Sequence, residues 1–206
     1  MKLSIAITFH HLKNALIRNN LDKGTQNNLR EKVIKMSSSV GISEDDFKQG
    51  LRALTAAVNV ITTIQNGIRA GLTATAACSV SATPPQLLVC IHTEASGHNF
   101  IQNSKKFVLN ILAKDQENIA RRFAGMDGAD RDDRFSLGVW SELVTGAPCL
   151  DDALVNFDCE VAEQITTGTH SIFIGHIVGS RIRKSNEKPL LYGYGQFNTL
   201  ASEQPK

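Results

Sequence analysis

Read for the spacing of its apolar positions, the chain falls into short runs whose period changes from helical to strand-like after about residue 57. Ser43-Glu44-Asp45-Asp46 resembles a capping box, with acids at the positive end of a helix, and Phe47, Leu51, Leu54 and Val58 recur at helical spacing, which predicts a helix over 44–57. VNVITTIQ and IRAGLTAT then flank Asn66-Gly67, a strong hairpin signal. QLLVCIH (86–92) and KFVLNILA (106–113) are continuous apolar runs short enough for buried strands, with a short helix expected at 97–104 between them. DQENIARRFA (115–124) has amphipathic helical spacing, and the polar, Gly-containing stretch 126–136 reads as an exposed loop. LVNFDCEVAEQI and HSIFIGHIVGSRIR, joined by Thr166-Thr167-Gly168-Thr169, are two long strand-like runs, and PLLYGYGQFNTL is a last one. Six or seven strands linked mostly by hairpins predict a mainly β protein with added helices, an antiparallel barrel rather than a parallel sheet. No GxGxxG follows a strand, so a Rossmann crevice is not expected.

Composition changes this picture little, but charge divides the chain. At 206 residues, with 42% hydrophobic and 20% charged residues, it suits one well-buried domain. Residues 1–35 carry seven basic residues against two acids; with a net charge of +2 overall, the remainder is acidic by three. An acidic body argues against a nucleic-acid footprint. Residues 1–42 are expected to form a basic extension to a domain over 43–206: either a flexible segment, or sequence upstream of a start at Met36. The first segment lacks the clean apolar core and cleavage site of a targeting peptide. No apolar run approaches the roughly 20 residues of a spanning helix, so neither a membrane nor an extracellular location is expected and the cytoplasm is. Cys78, Cys90, Cys149 and Cys159 have no CxxC spacing and read as buried, reduced thiols. His92, His98 and His176 show no ligand spacing with carboxylates, and no metal is expected. The absence of a GxSxG elbow argues against a serine hydrolase.

The stretch GLTATAACSVSATPPQLLVCIH (71–92) has the most chemical content. It places Thr73, Thr75, Ser79 and Ser81 among alanines between two apolar runs. Small side chains admit a flat ligand close to the backbone, and hydroxyls and amide N–H groups can then donate to it. Together with AAVNVITT, SKKFVLNIL, FAGM, DDRFS with Trp140, GAPCLDDALVNFDC, GTH, and PLLY followed by Phe197, this stretch resembles the short-chain flavin reductase family over about residues 46–200. Within the family the chain is similar to the reductase partners of hydroxyphenylacetate and chlorophenol monooxygenases and to the pyrimidine-utilisation flavin reductase.

The resemblance implies a split β-barrel of the FMN-binding type, an antiparallel Greek-key barrel, and a homodimer with flavin in a groove near the interface. It implies reduction of FMN or FAD by NADH or NADPH, the reduced flavin diffusing to a partner oxygenase. By the same resemblance, Thr73, Thr75, Ser79, Val80 and Ser81 line the isoalloxazine and ribityl chain, and Ser96 and Asn99 lie on a second flavin-contacting loop. Lys105 and Lys106 stand where a cation meets the flavin phosphate, Tyr192 and Phe197 match aromatic positions of the last strand, and His170 in Gly168-Thr169-His170 matches an element on the nicotinamide side. Thr169 stands where many members have Asp, and Tyr194 and Gln196 where many have basic residues. The alternative reading is a flavin-binding carrier or redox sensor without turnover, and a further one is an enzyme of the same fold acting on ferric iron or as a flavin-linked oxidase.

Overall fold

Hydrogen bonding at Ser43 starts the first element of the structure, a computed structural model that describes residues 41–201. The chain divides into two units, Met1–Gly50 and Leu51–Lys206. Most of the expected extension over 1–42 lies outside the described residues. In helix α1 (Glu44–Arg52), Asp46 N donates to Ser43 Oγ at 3.0 Å and the Ser43 hydroxyl donates to Asp46 Oδ2 at 2.7 Å. The helix stops at Arg52, short of the expected residue 57, because Ala56–Ala57 is drawn into a strand (β1) that pairs with Tyr192 and Leu191. Cross-chain pairing overrides helical propensity there.

The second unit is built on antiparallel ladders. Strands β2 (Asn59–Gln65) and β3 (Ile68–Ala74) form the hairpin read from Asn66-Gly67, and both turn residues have positive φ (50° and 78°), as a tight primed turn requires. Strands β4 (Ala77–Ala82), β5 (Pro85–His92), β6 (Lys106–Ile111), β9 (Val155–Thr167) and β10 (His170–Ile182) complete a seven-stranded sheet in the order β3-β2-β6-β9-β10-β5-β4, numbering in β7 (Trp140–Ser141) and β8 (Cys149–Leu150), which pair separately. The last apolar run is a hairpin rather than one strand: β11 (Leu190–Gly193) and β12 (Gln196–Thr199) turn at Tyr194 and Gly195, with φ of 52° and 79°. The described residues thus hold twelve strands where six or seven were expected, the surplus being short pairs and this split run.

One topological fact positions the site. Strands β3 and β4 are the two edges of the seven-stranded sheet, yet only Thr75 and Ala76 separate them in sequence. So short a link spans roughly 10 Å. The sheet must therefore roll until its edges approach each other at Thr75–Ala76, although no ladder joins them. Asn59 holds the end of β3 at this seam, its amide donating to Ala57 O at 3.0 Å and Ala74 O at 3.3 Å.

The core explains why the runs read as continuously apolar. Val60 of β2 packs with Leu112, Phe123 and Leu190, whereas Ile61 packs with Leu87, Phe107 and Phe173 on the other side. A strand buried on both faces shows no alternation. Helix α2 (His98–Ser104) contributes Ile101 to the second cluster, and α3 (Glu117–Phe123) contributes Ile119, Ala120 and Phe123 to the first. The expected helix over 115–124 is divided, its start forming a 3₁₀ turn at Lys114–Gln116. Helix α3 lies against β3 because Gly71 has no side chain: a Cβ there would stand 2.7 Å from Phe123 Cε1 and 3.0 Å from Ile61 O.

Candidate functional site

Three adjoining clefts open where the rolled sheet fails to close, and Thr75 lines all three. The largest, about 450 Å³, lies between the β3 end (Leu72–Ala76), Cys90–His92 of β5, Ser96, the end of α3, and His170. The second, about 290 Å³ and mainly apolar, is bounded by Ala56 and Ala57, by Cys78, Ser79 and Ser81 of β4, and by Leu109, Phe157 and Ile177. The third, about 250 Å³, is closed by Tyr192 and Phe197, whose rings meet edge-on with centroids 5.1 Å apart. Clefts of a few hundred Å³ with apolar walls and a few polar groups are what nucleotide-sized ligands occupy.

The residues singled out from sequence distribute unevenly over this geometry. Thr73, Thr75, Ser96 and His170 line the largest cleft, Ser79 and Ser81 the second, and Tyr192 and Phe197 the third. Val80, Asn99 and Lys105 line none of the three. Val80 is exposed, and Asn99 Oδ1 stands 3.1 Å from His98 Nδ1. Lys105 is the left-handed C-cap of α2 (φ 56°), its N–H donating to Ile101 O, and Lys106 Nζ donates to Thr145 O at 2.7 Å. The Thr73 hydroxyl donates to Ala120 O at 2.7 Å, tying β3 to α3.

His170 opens β10 directly after the turn at Gly168 (φ 55°), and its ring meets that of His92 edge-on, with centroids 5.0 Å apart. The two residues face each other in the β5–β10 register. Ser171 is fixed from behind: its Oγ lies 2.8 Å from Nε2 of the buried His98 and 2.9 Å from Thr166 Oγ1. That chain of hydrogen bonds sets the start of β10, and with it the position of His170.

Sequence reading missed Arg131 and Arg134, which it left in an exposed polar loop. RDDRFS is a 3₁₀ turn (Arg131–Ser136), and it is anchored by Phe135. The Phe135 ring packs edge-on to Phe123 (5.1 Å) and Trp140 (5.0 Å), with the Arg69 guanidinium 4.6 Å above it. Both arginines then line the largest cleft. Arg134 Nη1 donates to Gly71 O at 2.8 Å and to Ser96 Oγ at 2.6 Å, bracing the β3 end against the loop that carries Ser96. Burial, followed by the charge of Arg131, draws the Arg134 guanidinium below the usual arginine value. The available signal was DDRFS, which with Trp140 carries part of the resemblance but was given no role; Phe135, apolar within that polar stretch, marks the turn as anchored.

The thiols are not poised as nucleophiles in the core. Cys149 and Cys159 are buried, and desolvation, followed by the Asp158 charge, pushes each pKa up to about 12. Cys78 is exposed and Cys90 half-buried, which corrects the expectation that all four lie inside. Among the described residues no group of three or more His, Cys, Asp or Glu could hold a metal, and no helix is long and apolar enough to cross a membrane. The arrangement offers small residues, hydroxyls, two imidazoles and two guanidiniums around an open seam. It suits binding and polarising a flat, anionic nucleotide better than covalent attack.

Comparison with known proteins follows the same direction. Residues 51–201 match the flavin reductase like domain. The chain is 40% identical over 155 residues to "FMN reductase (NADH) RutF" of Agrobacterium fabrum, covering 75% of this chain and 87% of that protein. It superposes with a TM-score of 0.70 on BorF, the flavin reductase component of a bacterial two-component tryptophan halogenase, at 28% identity, covering 78% of this chain and 100% of that one. The Streptomyces globisporus NADH:FAD oxidoreductase SgcE6, in complex with NAD and FAD fragments, gives a TM-score of 0.70 at 25% identity, covering 77% of this chain and 93% of that one.

Proposed function

The chain belongs to the flavin reductase like domain family, and we propose that it is an NADH-dependent flavin reductase, with FMN or FAD as the flavin, that supplies reduced flavin to a separate oxygenase component. The observation that carries this reading is the seam at Thr75, where three clefts lined by small and hydroxyl-bearing residues join. The names of the similar proteins support NADH and FMN first, and a two-component system.

The residues present fit both nucleotides. Thr75, Ser79 and Ser81 bound the mainly apolar second cleft, where a flat ring system can lie against small side chains. When both are bound, the nicotinamide supplies hydride to the flavin, and the hard chemistry is theirs. What the protein contributes is placement: hydroxyls and N–H groups near the flavin edge stabilise negative charge that accumulates there on reduction. His170, with His92 against it, orients the nicotinamide from the β10 side. An open seam favours exchange of flavin with solvent, as a diffusing product requires.

The fold is read as a split barrel, on the support of two sheet edges brought together by a two-residue link. The domain is taken as residues 43–206, residues 1–42 as an extension, and the location as cytoplasmic. A homodimer fits the outer face of the sheet, where Ile165, Ile172 and Cys90 lie in one row and Ile174 and Leu88 in the next. His92 and His170 head the same face, so a second copy laid on it would wall the largest cleft. Sedimentation is expected to give twice the 22.4 kDa chain mass; a monomer at micromolar concentration would remove the dimer from this reading.

Purified protein with NADH and FMN is expected to lose NADH absorbance only when free flavin is added, with flavin behaving as a saturable substrate. Tight stoichiometric flavin without NADH oxidation would identify a carrier instead. His170→Ala is expected to raise KM for NADH roughly tenfold, a loss of about 1.4 kcal/mol of binding, and to leave flavin affinity nearly unchanged. Equal losses for both substrates would contradict the orientation role.

A further inference from the structure

We propose that Arg131 and Arg134 form a phosphate-binding edge of the largest cleft and take a phosphate group of the bound nucleotide; this rests on the reductase reading above. The cleft wall holds these two guanidiniums and two histidines, and no Asp or Glu lines it. Of the other arginines, Arg121 pairs with Glu117, Arg122 with Asp127 and Arg181 with Asp151, Arg69 lies over the Phe135 ring, and Arg52 and Arg183 donate to backbone carbonyls. Among the described residues neither Arg131 nor Arg134 forms an ion pair.

Their placement is built rather than incidental. Residues three apart on a 3₁₀ turn lie over one another, so the turn presents both side chains on one side. Phe135, locked between Phe123 and Trp140, fixes the turn from beneath. Arg134 spends only Nη1 on its two internal acceptors, Gly71 O and Ser96 Oγ, which leaves Nη2 and Nε for a ligand. Ser96 accepts from Arg134, so its own hydroxyl proton is available to the same ligand. Holding two like charges at one wall is unfavourable unless an anion sits between them, and neither the oxidised isoalloxazine ring nor the nicotinamide ring carries a negative charge. A phosphate does, and the guanidinium fork matches its oxygens. Lys105, the cation expected from sequence, lies at the end of α2 and lines none of the clefts.

The phosphate can come from FMN or from the pyrophosphate of NADH, and phosphate-free analogues separate the two. Steady-state kinetics of wild type, Arg131→Ala and Arg134→Lys would be run with FMN against riboflavin, and with NADH against 1-benzyl-1,4-dihydronicotinamide. Arg131 is exposed, so its truncation leaves the fold intact, and the lysine at 134 keeps charge while losing the fork. The expected result is a KM raised roughly tenfold for at least one phosphate-bearing substrate, with its phosphate-free analogue unaffected and the difference shrinking at high salt. An effect on FMN alone assigns the flavin phosphate, and on NADH alone the pyrophosphate. Unchanged KM for both in both variants overturns the proposal. Equilibrium binding of FMN, riboflavin and NAD⁺ to the same proteins repeats the comparison without turnover. A protein that holds FMN or NAD⁺ through Arg131 yet never oxidises NADH would lose the reductase reading and keep the phosphate site.

Discussion

Replacing Thr75 with tryptophan is expected to lower NADH-dependent flavin reduction by roughly a hundredfold or more while the protein stays folded. Thr75 is the residue common to the three clefts, at the link between the two sheet edges. It is half-buried, lies outside both β3 and β4, and its hydroxyl holds no side-chain hydrogen bond among the described residues. An indole there has room to turn into the clefts without breaking a ladder. It would occupy the space that the two reactants must share, and displacement of bound reactants by about 1 Å already costs about two orders of magnitude in rate. Thr75→Ser, which keeps the hydroxyl and removes a methyl, is expected to retain most activity. The comparison needs kcat and KM for flavin and NADH, with thermal melts to establish folding. Turnover of the tryptophan variant near the wild-type level would move the site away from the seam.

Much of the scaffold around that seam was legible in the sequence for local reasons. Asn66-Gly67 dictates its hairpin through positive φ, the run of β9 contains no Gly or Pro between Val155 and Thr167, and β10 contains no Pro, its Gly175 and Gly179 falling where the ladder with β9 shifts register. Where reading failed, a non-local contact decided the outcome. Ala56–Ala57 has helical composition but pairs with β11, which ends α1 at Arg52. Tyr194 takes a left-handed conformation that its residue type does not advertise, and with Gly195 it folds one apolar run into two strands.

The site divides in the same way. Thr73, Thr75, Ser79 and Ser81 were identified because small hydroxyl residues in one short segment are visible without knowing the fold. Arg131 and Arg134 were not, because their role depends on Phe135 entering an aromatic cluster with residues 12 positions before and 5 after it in sequence. The roll of the seven-stranded sheet that brings β3 and β4 together is likewise a property of strand order, which hairpin signals alone do not specify. The lysine pair that the resemblance offered to a flavin phosphate stands at the C-terminal end of α2, and neither lysine lines any of the three clefts.

The largest expected loss of stability lies at a residue that takes no part in binding. Asp158 of β9 is fully buried, and its carboxylate accepts three hydrogen bonds: from Val144 N and Thr145 N at 2.8 Å each and from Thr145 Oγ1 at 2.6 Å. A carboxylate can be buried this way because backbone and hydroxyl dipoles replace its hydration. The loop it holds is tied further by Thr62 Oγ1 donating to Pro148 O at 2.5 Å and by Lys106 Nζ donating to Thr145 O. Asp158→Ala would strand two backbone N–H groups and a hydroxyl beside a new void. The expected cost is about 3–5 kcal/mol, a large part of a typical domain's stability. For a unit of this size that lowers the melting temperature by roughly 10 °C. Asp158→Asn keeps the shape: its oxygen can serve the two N–H groups, and its amide can donate to Thr145 Oγ1 once that hydroxyl turns. The expected cost is then about 1–2 kcal/mol, the difference between charged and neutral acceptors. Asp158 lines none of the clefts, so both variants should reduce flavin at the wild-type rate well below their melting points. Melting curves and rates at low temperature decide the matter: equal losses for Ala and Asn would mean that the charge, not the hydrogen-bond geometry, is what the loop requires.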